Sequence, residues 1–280
     1  MYERHWNLSA RPFQNDFDPK MFVPSGTHEE ALTRLLYAFA EDKGLMLLTG
    51  PAGCGKSYTA RFFAAECERR GFPAAYVGIP DSDPIELIVQ ISRAFGIEVE
   101  SRDKYRVIEA MTSHLKSAGG KSLLVLDEVQ DVGNPKCLEE VKLLSSLTLG
   151  SRRIFTIVLA GSAALLELVS RDEALATRVE ISYHMHGMTI EETIRYVAKR
   201  LENAGRRETI FSPDSLEAIH AMTGGLPRLI NTLCDLSLFT AAGRKLDWVG
   251  LEIVEEAHSE MSLASAENAQ ETVLGFSLET

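Results

Sequence analysis

The stretch LLTGPAGCGKSYTARFF, residues 47–63, holds three glycines, a lysine and a serine within eight consecutive positions. Residues 50–57 match the pattern G-x-x-x-x-G-K-[ST], with an apolar run before them and a helical pattern after them. In such a strand–loop–helix turn, backbone N–H groups can point at a phosphate, and the helix amino terminus adds its positive dipole end. The stretch therefore predicts a phosphate-binding loop; a glycine-rich turn without a ligand is the alternative.

The loop also supplies side chains suited to a nucleotide and its metal ion. Lys56 can neutralise the outer phosphates, and Ser57 can offer its hydroxyl to Mg²⁺. Cys54 is either a redox-sensitive gate or simply a small residue in a tolerant position. The nucleotide-binding residues that we predict in the loop are Gly50, Pro51, Ala52, Gly53, Cys54, Gly55, Lys56, Ser57 and Tyr58.

A second motif follows about seventy residues downstream. The apolar run 123–126 ends abruptly in Asp127 and Glu128, which is typical of a buried parallel strand that delivers a carboxylate to a magnesium shell. We predict that Asp127 anchors the metal with Ser57. Glu128 then activates water for attack on the γ-phosphate, with helix capping as the alternative.

Strands and helices alternate along the first two thirds of the chain. Apolar runs predict strands, and helical periods follow them, the last over about 135–149. This alternation indicates an α/β fold with a parallel sheet between helices, and it places ligands beyond the carboxyl ends of the strands. From Thr189 onward the pattern is helical, beginning with the capping box Thr189-x-x-Glu192.

Composition narrows the classes of protein further. The 280 residues contain 45% apolar residues but no apolar run long enough to span a bilayer, and the charged amino terminus lacks a secretory pattern, so we expect a cytoplasmic protein. The four cysteines have no zinc or disulfide spacing. Eight of the acidic residues behind the net charge of −11 follow Lys245, which leaves the preceding chain nearly balanced.

Beyond these motifs, the chain resembles the AAA+ ATPases and, among them, the ExeA/GspA-like (general secretion pathway protein A) group. The absence of a guanine-specific N-K-x-D sequence also favours ATP. The stretches that carry the resemblance are MYERHWNLSARPF, LDEVQ, LEEVKLLSSL, IVLAGSAAL and GGLPRLINTLCD, together with the phosphate-binding loop. The resemblance implies a five-stranded parallel sheet flanked by helices, a small C-terminal helical lid, and hydrolysis of Mg-ATP.

Three further roles follow from this resemblance. Ser162, where the group has glutamine, would sense the γ-phosphate, with a helix cap as the alternative. Arg178 would reach into a neighbouring subunit's ATP site and stabilise charge there, which requires an oligomer; the alternative is a surface arginine. Arg228 would contact the nucleotide from the lid, unless it is merely exposed. Gln130 matches the group's usual D-E-A-Q, but we assign it no role.

The predicted organisation has four parts. Residues 1–44 form a leading segment and helix that pack on the ATPase core. The α/β core covers 45–187 and the helical lid 188–261. An acidic, flexible tail spans 262–280.

Three hypotheses about function fit the sequence: an ATPase that remodels a partner, a DNA-binding regulator, and a switch that binds ATP with little turnover. The resemblance implies an engine that assembles or remodels a secretion, pilus or cell-envelope machine, recruited to the inner membrane by a partner. The group's membrane-spanning and peptidoglycan-binding regions are missing from these 280 residues. The alternative is an ATP-dependent DNA-binding regulator similar to the transposition ATPases, for which the clusters near Arg102 and Arg206 are the support. A switch that binds ATP with little turnover is the third hypothesis.

Overall fold

The computed structural model describes residues 2–262, and the chain divides into two compact units. The first unit is Thr27–His186, and the second combines the residues up to Gly26 with those from Gly187 onward. Within the described residues, no helix is both long and apolar enough to cross a membrane. The strands are β1 Leu45–Thr49, β2 Ala74–Val77, β3 Ser122–Leu126, β4 Thr148–Leu149, β5 Arg152–Arg153, β6 Phe155–Gly161 and β7 Val179–His184.

Helices surround the sheet of the first unit and make up most of the second. Several begin at residues suited to that position, such as Pro84 after the Asp83 cap and Pro213 after the Ser212 cap. The helices are α1 Gly26–Ala40, α2 Lys56–Arg69, α3 Pro84–Ala94, α4 Lys104–Ser117, α5 Lys136–Ser145, α6 Ala164–Ser170, α7 Glu173–Ala176, α8 Ile190–Asn203, α9 Pro213–Thr223, α10 Pro227–Gly243 and α11 over 251–262.

The main sheet has five parallel strands in the order β2-β3-β6-β1-β7, which confirms the predicted fold class. Every residue of β1, β3 and β6 is buried. Helices cover both faces of these strands, which is why they appear as unbroken apolar runs. Because the strands are parallel, the loops that follow β1, β3 and β6 all leave from one edge of the sheet.

The leading segment differs from the prediction, because residues 2–26 belong to the C-terminal unit and not to the unit that contains the parallel sheet. Trp6 is 1% exposed, and its indole N–H donates to the Leu238 carbonyl in α10. The guanidinium of Arg200, on α8, donates to the Pro12 and Gln14 carbonyls. Tyr2, Trp6 and Phe13 of this segment are part of the core of the helical unit.

The end of α5 differs from the sequence prediction, whereas the start of α8 agrees with it. The helix predicted over 135–149 ends at Ser145, because the chain turns at Gly150, where φ is +63°, and forms the β4–β5 hairpin. Both halves of the predicted capping box are present at Thr189 and Glu192, at the start of α8. The predicted tail lies outside the described residues, apart from Ser262, which is helical.

Candidate functional site

The phosphate-binding loop occupies the turn between β1 and α2, as the sequence predicts. Gly55 directly precedes α2 with a φ of +99°, in the left-handed region where side chains are strained. A Cβ atom there would lie 2.3 Å from Nε2 of His28, a buried residue of α1. Glycine is therefore required at position 55 for two reasons, which are the positive φ angle and the close approach of the His28 ring.

Lys56 is held inside the loop and away from bulk solvent. It is 5% exposed, and its ammonium donates to the carbonyl oxygens of Gly50 and Pro51, each at 3.0 Å. These bonds hold the Nζ atom in place before a ligand binds. Little further side-chain entropy is therefore lost when Lys56 contacts a phosphate. An ammonium in this position can exchange a carbonyl oxygen for a phosphate oxygen and so neutralise its charge.

Cys54 is buried in the same loop, and burial raises the pKa of its thiol above the usual range. The thiolate is the reactive form of cysteine, so a buried, protonated thiol reacts slowly with oxidants. The structure therefore favours the small-residue interpretation of Cys54 over the redox gate.

Two oxygen-bearing side chains suited to Mg²⁺ converge beside the loop. Asp127, at the end of β3, is 1% exposed, and the Tyr76 hydroxyl donates to its Oδ2 atom at 2.5 Å. The same Tyr76 phenol interacts with the Ser57 side chain. The Tyr76 hydroxyl thus lies near both side chains, and oxygen ligands are those Mg²⁺ prefers. The two residues therefore fit a magnesium ion.

Tyr76 itself is a residue that sequence reasoning did not select. Burial raises the pKa of its phenol, and the hydrogen bond to Asp127 raises it further. The guanidinium of Arg61 lies over its ring, 4.5 Å from the centroid. No local sequence pattern points to Tyr76, because the contact depends on β2 lying beside β3 in the sheet, where Tyr76 pairs in register with Val125, two residues before Asp127.

Glu128 follows Asp127 in an unusual backbone conformation, with φ +50° and ψ +40°. This left-handed geometry costs a non-glycine residue energy and persists only where neighbouring contacts enforce it. One such contact is the Glu128 N–H, which donates to Asp127 Oδ1 at 3.0 Å. The Glu128 side chain makes no capping bond to the short 3-10 helix Val129–Asp131, so the capping interpretation receives no support.

Ser162 lies just after β6, the strand next to β1 in the sheet. Its backbone N–H donates to Oε1 of Gln130 at 3.0 Å. The helix that follows begins at Ala164, with Ala163 in the capping position, so Ser162 is not the cap of α6. The structure thus brings together the phosphate-binding loop, Asp127, Glu128 and Ser162, the predicted sensor, at one edge of the sheet.

Arg178 lies at the opposite edge of the same sheet. It precedes Val179, the first residue of β7, which pairs with Leu45 at the amino end of β1. The phosphate-binding loop begins after Thr49, at the carboxyl end of β1. About four strand residues, or roughly 13 Å along the strand direction, therefore separate the position of Arg178 from the start of the loop. The Arg178 side chain is exposed and donates to the Ala174 carbonyl in α7. Arg178 therefore lies at the amino ends of the strands, whereas the loop of its own chain lies at their carboxyl ends.

Arg228 belongs to the other unit. It is the second residue of α10, after Pro227, and it is exposed. Its carbonyl accepts a hydrogen bond from the Thr232 hydroxyl one turn later. The guanidinium is therefore available for a ligand, and its role as a nucleotide contact stays a prediction.

Comparison with known proteins finds a family model that matches part of the chain, and a relative of similar sequence. Residues 40–169 match the AAA domain family. General secretion pathway protein A of Aeromonas hydrophila is 30% identical over 277 residues, which cover 95% of this chain and 48% of that protein. The chain thus spans about half the length of this relative.

The similar solved structures share the fold at low sequence identity. The Aeropyrum pernix ORC2 protein superposes with a TM-score of 0.70 at 19% identity, covering 90% of this chain and 72% of that one. Cdc6p from Pyrobaculum aerophilum gives 0.72 at 18% identity, covering 89% and 70%. These similarities support the α/β fold described above.

Proposed function

We propose that this chain, which matches the AAA domain family over residues 40–169 and is similar to general secretion pathway protein A, is an AAA+ ATPase that hydrolyses Mg-ATP to assemble or remodel a protein partner in a secretion or cell-envelope system. One observation carries the hydrolytic part of the proposal. Lys56, which begins α2 after β1, lies at the same edge of the sheet as Asp127 and Glu128, which follow β3, and the charged groups of Lys56 and Asp127 are buried. Buried charges are retained where they bind a ligand or another charge.

The residues divide the chemistry among themselves. The loop N–H groups and Lys56 hold the phosphates, and Ser57 with Asp127 would hold Mg²⁺, which neutralises charge on the phosphate oxygens when bound. Glu128 accepts a proton from the attacking water. Ser162 registers the presence of the γ-phosphate at the end of β6.

The position of Arg178 supports an oligomeric active form. Since it lies about 13 Å from the level of its own loop, its guanidinium serves the site of an adjacent subunit, where it stabilises charge during phosphoryl transfer. Mixing two inactive variants tests this. Arg178→Ala chains keep an intact loop and Lys56→Ala chains keep the arginine, so mixed interfaces should regain hydrolysis.

Two exposed basic residues outside the proposed site serve as controls for this mixture. Arg171→Ala removes an exposed arginine from the preceding turn, and Lys136→Ala removes an exposed lysine; each should hydrolyse ATP like the wild type. Lys56→Ala alone should lose ATP binding. No recovery in the Arg178→Ala and Lys56→Ala mixture would contradict action between subunits.

The charge distribution weighs against the DNA-binding alternative. Both basic clusters are occupied by ion pairs: Arg102 meets Glu86 at 3.0 Å and Lys104 meets Glu140 at 2.9 Å, while Glu202 lies 2.6 Å from Lys199. Paired cations release fewer counterions on binding a phosphate backbone than free ones do. These clusters therefore offer little non-specific affinity for DNA.

The proposed partner is tested with the full chain held in its ATP-bound form. Glu128→Gln protein with Mg-ATP should retain a protein from a membrane fraction and release it when ADP replaces ATP. The parallel reaction contains duplex DNA at low salt. A salt-sensitive, ATP-dependent DNA shift without any retained protein would overturn the remodelling function in favour of the DNA-binding regulator.

A further inference from the structure

Gln130 forms hydrogen bonds to two parts of the site, Glu128 after β3 and Ser162 after β6. It lies in the short helix Val129–Asp131 after β3, and its Nε2 donates to Oε2 of Glu128 at 2.7 Å. Its Oε1 accepts from the Ser162 backbone N–H at 3.0 Å. A single amide therefore links the carboxylate after β3 to the end of β6.

The chemistry of the partners fixes which way the amide points. A backbone N–H can only donate, so the Gln130 oxygen must face Ser162. The NH₂ group then faces Glu128 and donates to its Oε2 atom. Both bonds are lost if the amide turns over, so the orientation is determined by the partners themselves.

The fold reserves space for this amide. A Cβ atom on Gly161, the last residue of β6, would lie 2.2 Å from Gln130 Oε1 and 3.2 Å from Leu165 Cβ. Gly161 has an ordinary backbone conformation, so the close approach of Gln130 is what requires glycine there. The end of β6 is thus shaped around the amide group.

We propose that Gln130 is the positioning residue for Glu128, and that it ties the orientation of the carboxylate to the end of β6. The inference rests on the proposed function in one respect, since it takes Glu128 as the group that activates water. The Glu128 side chain is only partly buried, so the hydrogen bond from Gln130 adds an orientation that packing alone does not impose. A displacement of Ser162 is then transmitted to the carboxylate through the two hydrogen bonds.

Two substitutions separate positioning from simple support of the backbone. Gln130→Met has a similar shape and removes both hydrogen bonds. Gln130→Glu keeps an oxygen for the Ser162 N–H but replaces the donor toward Glu128 with a second acceptor. We expect both variants to lower kcat by about 10- to 100-fold, with the ATP dissociation constant and KM changed less than about threefold. Asp131→Asn, an exposed neighbour in the same turn, is the matched control.

The measurement is steady-state hydrolysis and ATP binding by the full chain, with urea unfolding to confirm that each variant is folded. If Gln130 only supports the β6 loop, Gln130→Glu will hydrolyse ATP like the wild type, and the proposal is overturned. If it acts through Glu128, adding Gln130→Met to Glu128→Gln will cause no further loss. A further loss of about tenfold would also overturn it.

Failure of this inference is distinguishable from failure of the proposed function. If Glu128→Gln collapses turnover while both Gln130 variants behave like the wild type, only the positioning role is wrong. If Glu128→Gln itself hydrolyses ATP normally, the assignment of Glu128 is wrong, and the role of Gln130 is overturned with it.

Discussion

Replacing Gly161 with alanine tests the arrangement around Gln130 without changing any polar side chain of the site. The new methyl group would lie 2.2 Å from the Gln130 oxygen, whereas an ordinary contact begins at 3.4 Å. The amide oxygen must therefore move by about 1.2 Å, and the hydrogen bonds to Glu128 and Ser162 cannot both survive that shift.

The cost in folding is modest because the amide is the end of a flexible side chain. We expect the free energy of unfolding to fall by about 1–3 kcal/mol, the range for a buried group that loses its partner. Hydrolysis should fall by about 10- to 100-fold, as for Gln130→Met, while ATP binding persists. Urea unfolding of the nucleotide-free chain and steady-state hydrolysis measure the two effects.

A second substitution shows whether Gln130 is the group displaced. Gln130→Ala in the Gly161→Ala background removes the clash, so it should restore part of the lost stability while hydrolysis stays low. Gly243→Ala, where nothing lies within 4 Å of the added carbon, is the control and should leave hydrolysis unchanged. If the double variant is no more stable than Gly161→Ala, contact with Gln130 is not the source of the effect.

Three further predictions concern other parts of the structure. Tyr76→Phe removes the donor to buried Asp127, and the free energy of unfolding of the nucleotide-free chain should fall by about 1.5–3 kcal/mol in urea, with no change contradicting the bond. Asp172→Ala removes the cap of α7 and should cost about 0.5–2 kcal/mol near neutral pH. The hydrogen bond from Lys142 holds the pKa of Asp172 below its usual range, so its contribution is present above about pH 3.9 and is lost as the pH falls through the lowered value; a cost independent of pH would refute this. Arg200→Ala leaves the Pro12, Gln14 and Met21 carbonyls without their donor, so we expect a loss of about 3 kcal/mol or more and faster proteolysis within residues 2–26, while Arg200→Lys should recover little. Unchanged proteolysis of Arg200→Ala would contradict the anchoring role.

The phosphate-binding loop and the strand that ends in Asp127 could be predicted because their signals are local. A glycine pattern between an apolar run and a helical period depends on neighbouring residues only, and so does a buried parallel strand. The alternation of strands and helices then restricts the fold to a parallel sheet with helices on both faces.

The contacts that complete the site depend on distant pairings and could not be derived in the same way. Tyr76 reaches Asp127 across 51 positions of sequence, and Gln130 reaches Ser162 across 32. Both contacts require the strand order, which places β3 between β2 and β6. The packing of the leading segment, residues 2–26, could not be predicted either, because Trp6 packs against α10, more than 200 residues later.

Single-turnover hydrolysis by Glu128→Gln tests the central claim most directly. Purified chain is loaded with Mg-ATP, quenched at intervals, and the bound nucleotide is identified as ATP or ADP. We predict that the variant binds ATP as tightly as the wild type and converts it at least about 100-fold more slowly, because the water loses its base. Conversion of bound ATP to ADP at the wild-type rate would contradict the assignment of Glu128 and the mechanism built on it.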